Sequence, residues 1–407
     1  MNIHVTFLKK SFTNITINQK NNFMEKITRR SFVNKFGIGI GASVIVTTLP
    51  SFLSAPEPDS LPYTGKKINL ALCGLGIYAN IVAESMQGSE YCHLAGIVTG
   101  TPSKAAKWKE KYNIPEKNIY NYDNFDEIIN NKDIDMVYVI LPNSLHKDFV
   151  IRSAKAGKHV ITEKPMAINV KECEEMIKAC NDNKVQLAIG YRLHYEPTHL
   201  EIKRLGQEKV FGQVRYIESS LGYKTYDTIA KTPVDINSPA NWRLNKKLSG
   251  GGPLMDLGIY CIQASRYILG EEPISVTAQF GTINDKNRFS ETEESISWQM
   301  VFPSGAMANG NSSVGYNIDR TYASADNGSF ELSPGLSYGP YEGKTSKGPL
   351  KFPPIKQQQK QLDEISKLLL ENKKLPDHIT GQEGLKDIKI INAIYKAAET
   401  GKKVSLS

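Results

Sequence analysis

The sequence predicts an α/β chain. A doubly wound parallel sheet covers residues 67–190, and an α+β part on an open, mainly antiparallel sheet covers residues 191–407. Three observations predict it. Short apolar runs alternate with helical stretches through the first part, the pattern of neighbouring strands joined by crossover helices. The first run, Ile68–Cys73, passes straight into Gly74-Leu75-Gly76-Ile77-Tyr78-Ala79, a glycine turn at the start of a helix. Beyond Tyr191 the texture changes to strands with two-residue alternation separated by turn residues. A length of 407 residues leaves room for both parts and an N-terminal extension.

That extension comes first. Residues 1–23 are polar, asparagine-rich and without periodicity. From Met24 a basic stretch with Arg29-Arg30 and Phe32 runs into an apolar segment, Phe36–Leu49, which is short for a membrane span. The segment resembles a twin-arginine export signal. Residues 1–55 are therefore read as a leader, the chain as periplasmic and exported folded, and the processed protein as having no stable membrane span. Met1 and Met24 both stand as possible starts. Residues 56–66 are proline-rich and read as an extended arm.

In Gly74-x-Gly76-x-x-Ala79 the first glycine makes the tight turn and the second admits a pyrophosphate to the backbone. Ala79 lets helix and strand pack closely, and Tyr78 stands in the helix's first turn beside the free N–H groups. The first part is thus a Rossmann dinucleotide-binding domain. Its second strand, His93–Thr99, ends in Thr99-Gly100-Thr101-Pro102-Ser103-Lys104. No carboxylate is there to hold a ribose 2′-hydroxyl, whereas hydroxyls and Lys104 suit a 2′-phosphate, so NADP is favoured over NAD.

A helix follows over Ser103–Tyr112, a helical turn over Phe125–Asn130 and a buried strand over Asp135–Leu141. The loop after it is Pro142-Asn143-Ser144-Leu145-His146, with Ser144 read as the cap of a helix reaching Lys155. The next strand, His159–Thr162, runs directly into Glu163-Lys164-Pro165. A lysine at the carboxyl end of a parallel strand stands where open α/β sheets bind ligands. A helix over Val170–Asn181 and a strand over Val185–Ile189 complete the domain. The five cysteines, at 73, 92, 173, 180 and 261, form neither a disulfide framework nor a metal pair. The net charge of +8 is carried by dispersed lysines with no basic stripe, which argues for solubility rather than a nucleic-acid partner.

In the second part Val214–Gly222 reads as a strand. Gly250-Gly251-Gly252-Pro253 precedes a helix over Leu254–Leu269, on which Asp256 and Tyr260 are four apart and share a face. Strands follow at Ile274–Phe280, Ser295–Phe302, Ala306–Val314, Arg320–Ala325 and Ser329–Leu332, with a hairpin turn at Pro303-Ser304-Gly305. Such a sheet, open on one face, offers a surface for a homo-oligomer, a dimer or tetramer. Residues 334–354 read as a loop, and Lys356–Leu370 and Gly381–Glu399 as amphipathic helices.

Several stretches together resemble the Gfo/Idh/MocA oxidoreductases: GLGIYA, LPNSLH at 141–146, AGKHVITEKPMA at 156–167, IGYRLHYEP at 189–197, NWRL at 241–244, GGGPLMDLGIY at 250–260, RYILGEEPI at 266–274 and SWQMVFPSGA at 297–306. The glucose-fructose subgroup is the most similar. The resemblance implies a cofactor held by Leu141, Pro142, Asn143, His146, Glu163, Lys164, Arg192, Trp242 and Arg243 as well as by the glycine turn. It implies a sugar surrounded by Lys164, Tyr191, His194, Asp256 and Tyr260. In the family an Asp-x-x-x-His pair works with the lysine of Glu-Lys-Pro; here the last member is Tyr260, as in the glucose-fructose subgroup. Tyr260 is then the base for a substrate hydroxyl, with Lys164 as the cation that a phenol, ionising near ~10, requires at neutral pH. Asp256 orients the lysine or the sugar.

The implied reaction oxidises an aldose at its anomeric carbon to a lactone and returns the hydride to a ketose or other carbonyl acceptor. The arm at 56–66 is shorter than the subgroup's, which leaves a plain sugar dehydrogenase exchanging free cofactor as the alternative. An NAD-using glycoside hydrolase and a non-catalytic sugar binder are remoter ones.

Overall fold

The computed structural model describes residues 65–224 and 235–406. The leader, its twin-arginine motif and the arm as far as residue 64 lie outside them.

Ile68–Cys73 (β1), Cys92–Val98 (β2), Ile119–Tyr120 (β3), Met136–Val139 (β4), His159–Thr162 (β5) and Leu187–Ile189 (β6) form one six-stranded sheet in the order β3-β2-β1-β4-β5-β6. All its pairings are parallel. The order reverses between β1 and β4, which opens a crevice at their carboxyl ends. These strands are nearly continuous in apolar residues because helices cover both faces. The helices are Ile77–Met86 (α1), Pro102–Tyr112 (α2), His146–Lys155 (α3) and Val170–Asp182 (α4).

Helix α3 corrects one expectation. Ser144 does not cap it: residues Asn143–Leu145 form a 3-10 turn and the helix begins at His146 without a side-chain cap. The proline at 142 and the short loop turn the chain too tightly for the serine to stand one residue outside a regular helix.

After Pro197–Gln207 (α5), the strands Val214–Gly222 (β7), Ser275–Phe280 (β8), Ser295–Val301 (β9), Met307–Ser313 (β10), Ile318–Ala325 (β11) and Gly328–Leu332 (β12) build a second sheet. Gly343–Thr345 (β13), Gly348–Leu350 (β14) and Val404–Ser405 (β15) extend it to nine, in the order β14-β13-β12-β11-β7-β10-β9-β8-β15. Only β7 and β10 pair in parallel. The stretch expected as loop thus contains a small hairpin, β13–β14; three-residue strands rich in Gly carry too little alternation to be seen in sequence. One face of this sheet packs on Ile259–Leu269 (α7) and Gly381–Thr400 (α9), while Lys246–Ser249 (α6) lies against the turn at Asn143–Leu145. The opposite face presents Thr277, Gln279, Ser297, Gln299, Asn309 and Asn311 in a broad trough.

The core of the first sheet is not contiguous in sequence. Helix Gln357–Leu370 (α8) returns to it, placing Leu362, Ile365 and Leu369 against Leu70, Val82 and Met86. Asp363 on α8 accepts hydrogen bonds from Ser89 Oγ at 2.5 Å and from the backbone N–H groups of Glu90 and Tyr91. All five cysteines are free and buried. Among the described residues no helix is long and apolar enough to cross a membrane.

Candidate active site

The site forms where β1, β4 and β5 end and α7 begins. Gly74 takes φ +95°, and a Cβ there would stand 2.3 Å from the Ile140 carbonyl oxygen, so this turn admits only glycine. Gly76 precedes α1 with open space where a side chain would be. No side chain caps α1 and no acidic residue occupies its first turn. Uncompensated N–H groups, a bare backbone and no competing carboxylate suit a pyrophosphate. At the end of β2, Thr99 is buried, Gly100 lies against the Tyr122 ring, and Lys104 Nζ donates to the Leu75 carbonyl at 3.1 Å. Lys104 therefore bridges the glycine turn and the β2 end. The residues present fit a dinucleotide.

Glu163-Lys164-Pro165 follows β5. His146 fastens this turn from below: its Nε2 lies 2.8 Å from the Leu141 carbonyl and its Nδ1 3.0 Å from that of Pro165. With 1% exposure and both nitrogens against carbonyls, His146 positions the loop. Burial also pushes its imidazole below the ordinary value. Asn143, expected with it, is equally enclosed and donates to the Ser249 carbonyl at 2.8 Å, tying the first domain to the glycine run before α7.

Lys164 Nζ donates to the Asp256 carbonyl at 2.7 Å and pairs with its carboxylate at 3.5 Å. The ammonium lies over the Tyr260 ring, 4.6 Å from its centre. The local fold makes this possible. Leu254–Gly258 is one wide π-helical turn before α7 becomes regular, which turns both the Asp256 backbone and the Tyr260 ring toward the lysine. Burial works against the lysine's charge, but Tyr260, Asp256 and Glu163 outweigh it and raise its pKa, so it stays protonated. Burial likewise works to raise the Asp256 carboxyl, yet Arg243 and Lys164 hold it down at about 2. Arg243 Nε donates to Asp256 at 2.9 Å and its guanidinium lies 4.4 Å from the Trp242 ring centre. Beside them a small, partly open pocket is lined by Asn143, Trp242, Arg243, Asp256, Phe289 and Thr292. Lys164, Asp256, Tyr260, Trp242 and Arg243 are thus brought together.

Three other expected residues are not. Tyr191 is buried and its hydroxyl donates to Asp387 at 2.6 Å, in the core between domains. His194 is buried among the rings of Tyr191, Tyr267 and His378. His194 lies in, and Tyr191 just before, a 3-10 turn that faces inward once β6 ends, which motif spacing does not reveal. Arg192 comes nearer, but its Nη1 and Nη2 donors are engaged by the Leu336 and Ser337 carbonyls, Tyr341 and Gln357. What it presents to the site is its face, 5.0 Å from the Tyr260 ring centre.

Glu163 is buried and accepts a hydrogen bond from Tyr138, which Gln361 contacts at 3.2 Å. Gly190 leaves it space, since a Cβ there would meet its carboxyl at 2.3 Å. Burial pushes the carboxyl up to about 7, with Tyr138 and Lys164 opposing. The folded group then holds its proton better than the unfolded one. Its contribution to stability is full below pH ~4 and drains away as pH rises through about 7, about 3 kcal/mol in all. Denaturant titrations of the nucleotide-free protein from pH 5 to 8 are expected to show this decline, and Glu163→Gln to flatten it.

Comparison with known proteins identifies the family of both domains. The profile of the oxidoreductase family with an NAD-binding Rossmann fold (Gfo/Idh/MocA) matches residues 68–191, and that of the Gfo/Idh/MocA C-terminal domain matches residues 199–331. The crystal structure of aldose-aldose oxidoreductase from Caulobacter crescentus, complexed with glycerol, is similar, with 41% identity and a TM-score of 0.78 over 84% of this chain and 100% of that one. D-xylose 1-dehydrogenase [NADP(+)] of Haloarcula marismortui is 26% identical over 84% of this chain and 94% of its own. Trans-1,2-dihydrobenzene-1,2-diol dehydrogenase of Xenopus tropicalis is 30% identical over 51% of this chain and 59% of its own.

Proposed function

We propose, for a chain that belongs to the Gfo/Idh/MocA oxidoreductases, that it oxidises one sugar at the expense of another with NADP held throughout. An aldose loses the hydrogen of its anomeric carbon and the proton of its anomeric hydroxyl and becomes the lactone. A second sugar gains both at its carbonyl and becomes the alditol. Bound NADP supplies the hydride acceptor and donor that joins the two halves. Tyr260 Oη takes the hydroxyl proton in the first half and gives it to the carbonyl oxygen in the second, so the proton balance closes on one residue. Lys164, kept charged among Asp256, Glu163 and Tyr260, lies where negative charge develops on the phenol. Asp256, itself kept ionised by Arg243 and Lys164, fixes the lysine and accepts from a sugar hydroxyl.

The contact of Lys164 with both Asp256 and the Tyr260 ring is the observation that carries this reading. The absence of a carboxylate at the end of β2, with Lys104 beside it, supports NADP over NAD. The activity named for the Caulobacter relative favours an aldose as acceptor over the ketose that the sequence suggested. In the same reading the leader exports the protein folded around its cofactor to the periplasm, and the polar trough of the second sheet joins copies of the chain.

A plain dehydrogenase exchanging free NADP is the second reading, supported by the activity named for the Haloarcula relative. Native mass spectrometry of the purified protein separates the two. About one NADP per chain is expected, together with lactone and alditol formed from an aldose pair without added cofactor. A protein that arrives empty and turns over only with stoichiometric NADP is a dehydrogenase.

A further inference from the structure

Residues 333–341, between β12 and β13, present a large aromatic side chain that packing does not account for. Tyr338 is 57% exposed. The backbone just before it is nevertheless pinned from several sides. Asp319 on β11 accepts the N–H groups of Gly335, Leu336 and Ser337 at 2.9, 2.7 and 3.2 Å. Arg192 donates to the carbonyls of Leu336 and Ser337 at 2.8 and 3.0 Å. His199 Nε2 lies 2.7 Å from the Gly335 carbonyl, and the Leu336 side chain is fully buried. Tyr338 is therefore held in place while most of its surface faces solvent.

Its direction follows from Arg192. The guanidinium lies 4.4 Å from the Tyr338 ring centre and 5.0 Å from that of Tyr260. Two phenols thus flank one immobilised cation, a column from half-buried Tyr260 to exposed Tyr338. Four hydrogen bonds to Arg192 fix the middle of the column. The ring face next to a sugar site suits the C–H face of a cyclic sugar, which is apolar and weakly positive, whereas an open-chain polyol offers no such face. A preordered aromatic also loses little entropy when it is covered.

We infer that Tyr338 is the platform on which the sugar ring lies, and that it sets a preference for cyclic sugars over open-chain polyols. This rests on the reading of the site as a sugar oxidoreductase. Tyr338 positions substrate without exchanging a proton with it, and the loop at 333–341 is part of the specificity apparatus of the reaction.

Calorimetric titration with a pyranose aldose tests it on NADP-loaded protein slowed by Tyr260→Phe, in which binding is read with little turnover, and steady-state kinetics with Tyr260 intact reads KM and kcat. Tyr338→Ala is expected to raise the Kd and KM for the aldose about three- to tenfold, with kcat within about threefold and the amount of bound NADP unchanged. Tyr338→Phe, which keeps the ring and loses the hydroxyl, is expected to bind the aldose as the wild type does. The preference for the aldose over its alditol shrinks in the alanine variant only. Equal aldose affinity in Tyr338→Ala and wild type overturns the platform and leaves the oxidoreductase reading intact. Loss of affinity in Tyr338→Phe as large as in Tyr338→Ala overturns stacking in favour of a hydroxyl contact. A wild-type protein that binds NADP but no aldose sinks the sugar reading and the platform with it.

Discussion

Tyr260→Phe is expected to lower kcat by about 10²–10⁴-fold, with bound NADP and the unfolding midpoint unchanged. The ring stays between the Lys164 ammonium and the Arg192 guanidinium, so the packing that holds both cations is retained. Only the oxygen to which the proposed reaction assigns the proton is removed. Steady-state turnover of an aldose, beside the NADP content of the same sample, measures it. Lys164→Ala is expected to match that loss, since Asp256 then turns wholly to Arg243 and no cation faces the phenol from that side. Full turnover in either variant contradicts the assignment. Full turnover in Lys164→Ala also points to a site in which this triad has no chemical part.

Asp387→Ala is expected to destabilise the protein by about 3–5 kcal/mol. Asp387 is fully buried on α9 and receives Arg266 Nη1 at 2.6 Å, Tyr191 Oη at 2.6 Å and Gln263 Nε2 at 2.8 Å. Removing it strands three donors and leaves the buried guanidinium to Glu272 and Glu383 alone. Burial pushes the Asp387 carboxyl up to about 6 with Arg266 opposing, so its charge is maintained at a cost. Asp387→Asn keeps an acceptor oxygen and is expected to lose less. Urea titration reads both, with the midpoint falling and the slope unchanged. The network has a functional reach as well. Gln263 and Arg266 stand on the helix that carries Tyr260, and Tyr191 is the second residue after β6. A loosened network therefore shifts the base relative to Lys164, and kcat is expected to fall with stability rather than independently of it.

The functional residues divide by how they are specified. Gly74, Gly76 and the Glu163-Lys164-Pro165 turn were legible because each follows an apolar strand directly. A strand end fixes where its next residues emerge. Asp256 and Tyr260 were legible as a pair, although the wide turn at Leu254–Gly258 that aims them was not. A π turn differs from a regular helix by a hydrogen-bond shift, not by a change in apolar spacing. Tyr191 and His194 were drawn into the site by the family resemblance, yet the chain faces both inward at the 3-10 turn Arg192–Tyr195, which Tyr191 precedes. Tyr338 and Tyr138 gave no signal. One sits in a glycine- and proline-rich stretch without periodicity, and the other in a strand where a buried tyrosine resembles any core aromatic.

By itself the sequence determined the two-sheet architecture, the dinucleotide turn and the lysine at the end of β5. These depend on apolar period and on residue types confined to particular backbone shapes, which are local properties. The tertiary structure alone decided the rest: that α8 crosses back to complete the first core, that His146 and Asn143 brace the loops around the site, and that Arg192 faces Tyr260 with both terminal nitrogens already engaged. Each of these depends on groups more than a hundred residues apart or on which side of a turn a side chain leaves, and no short-range pattern encodes either.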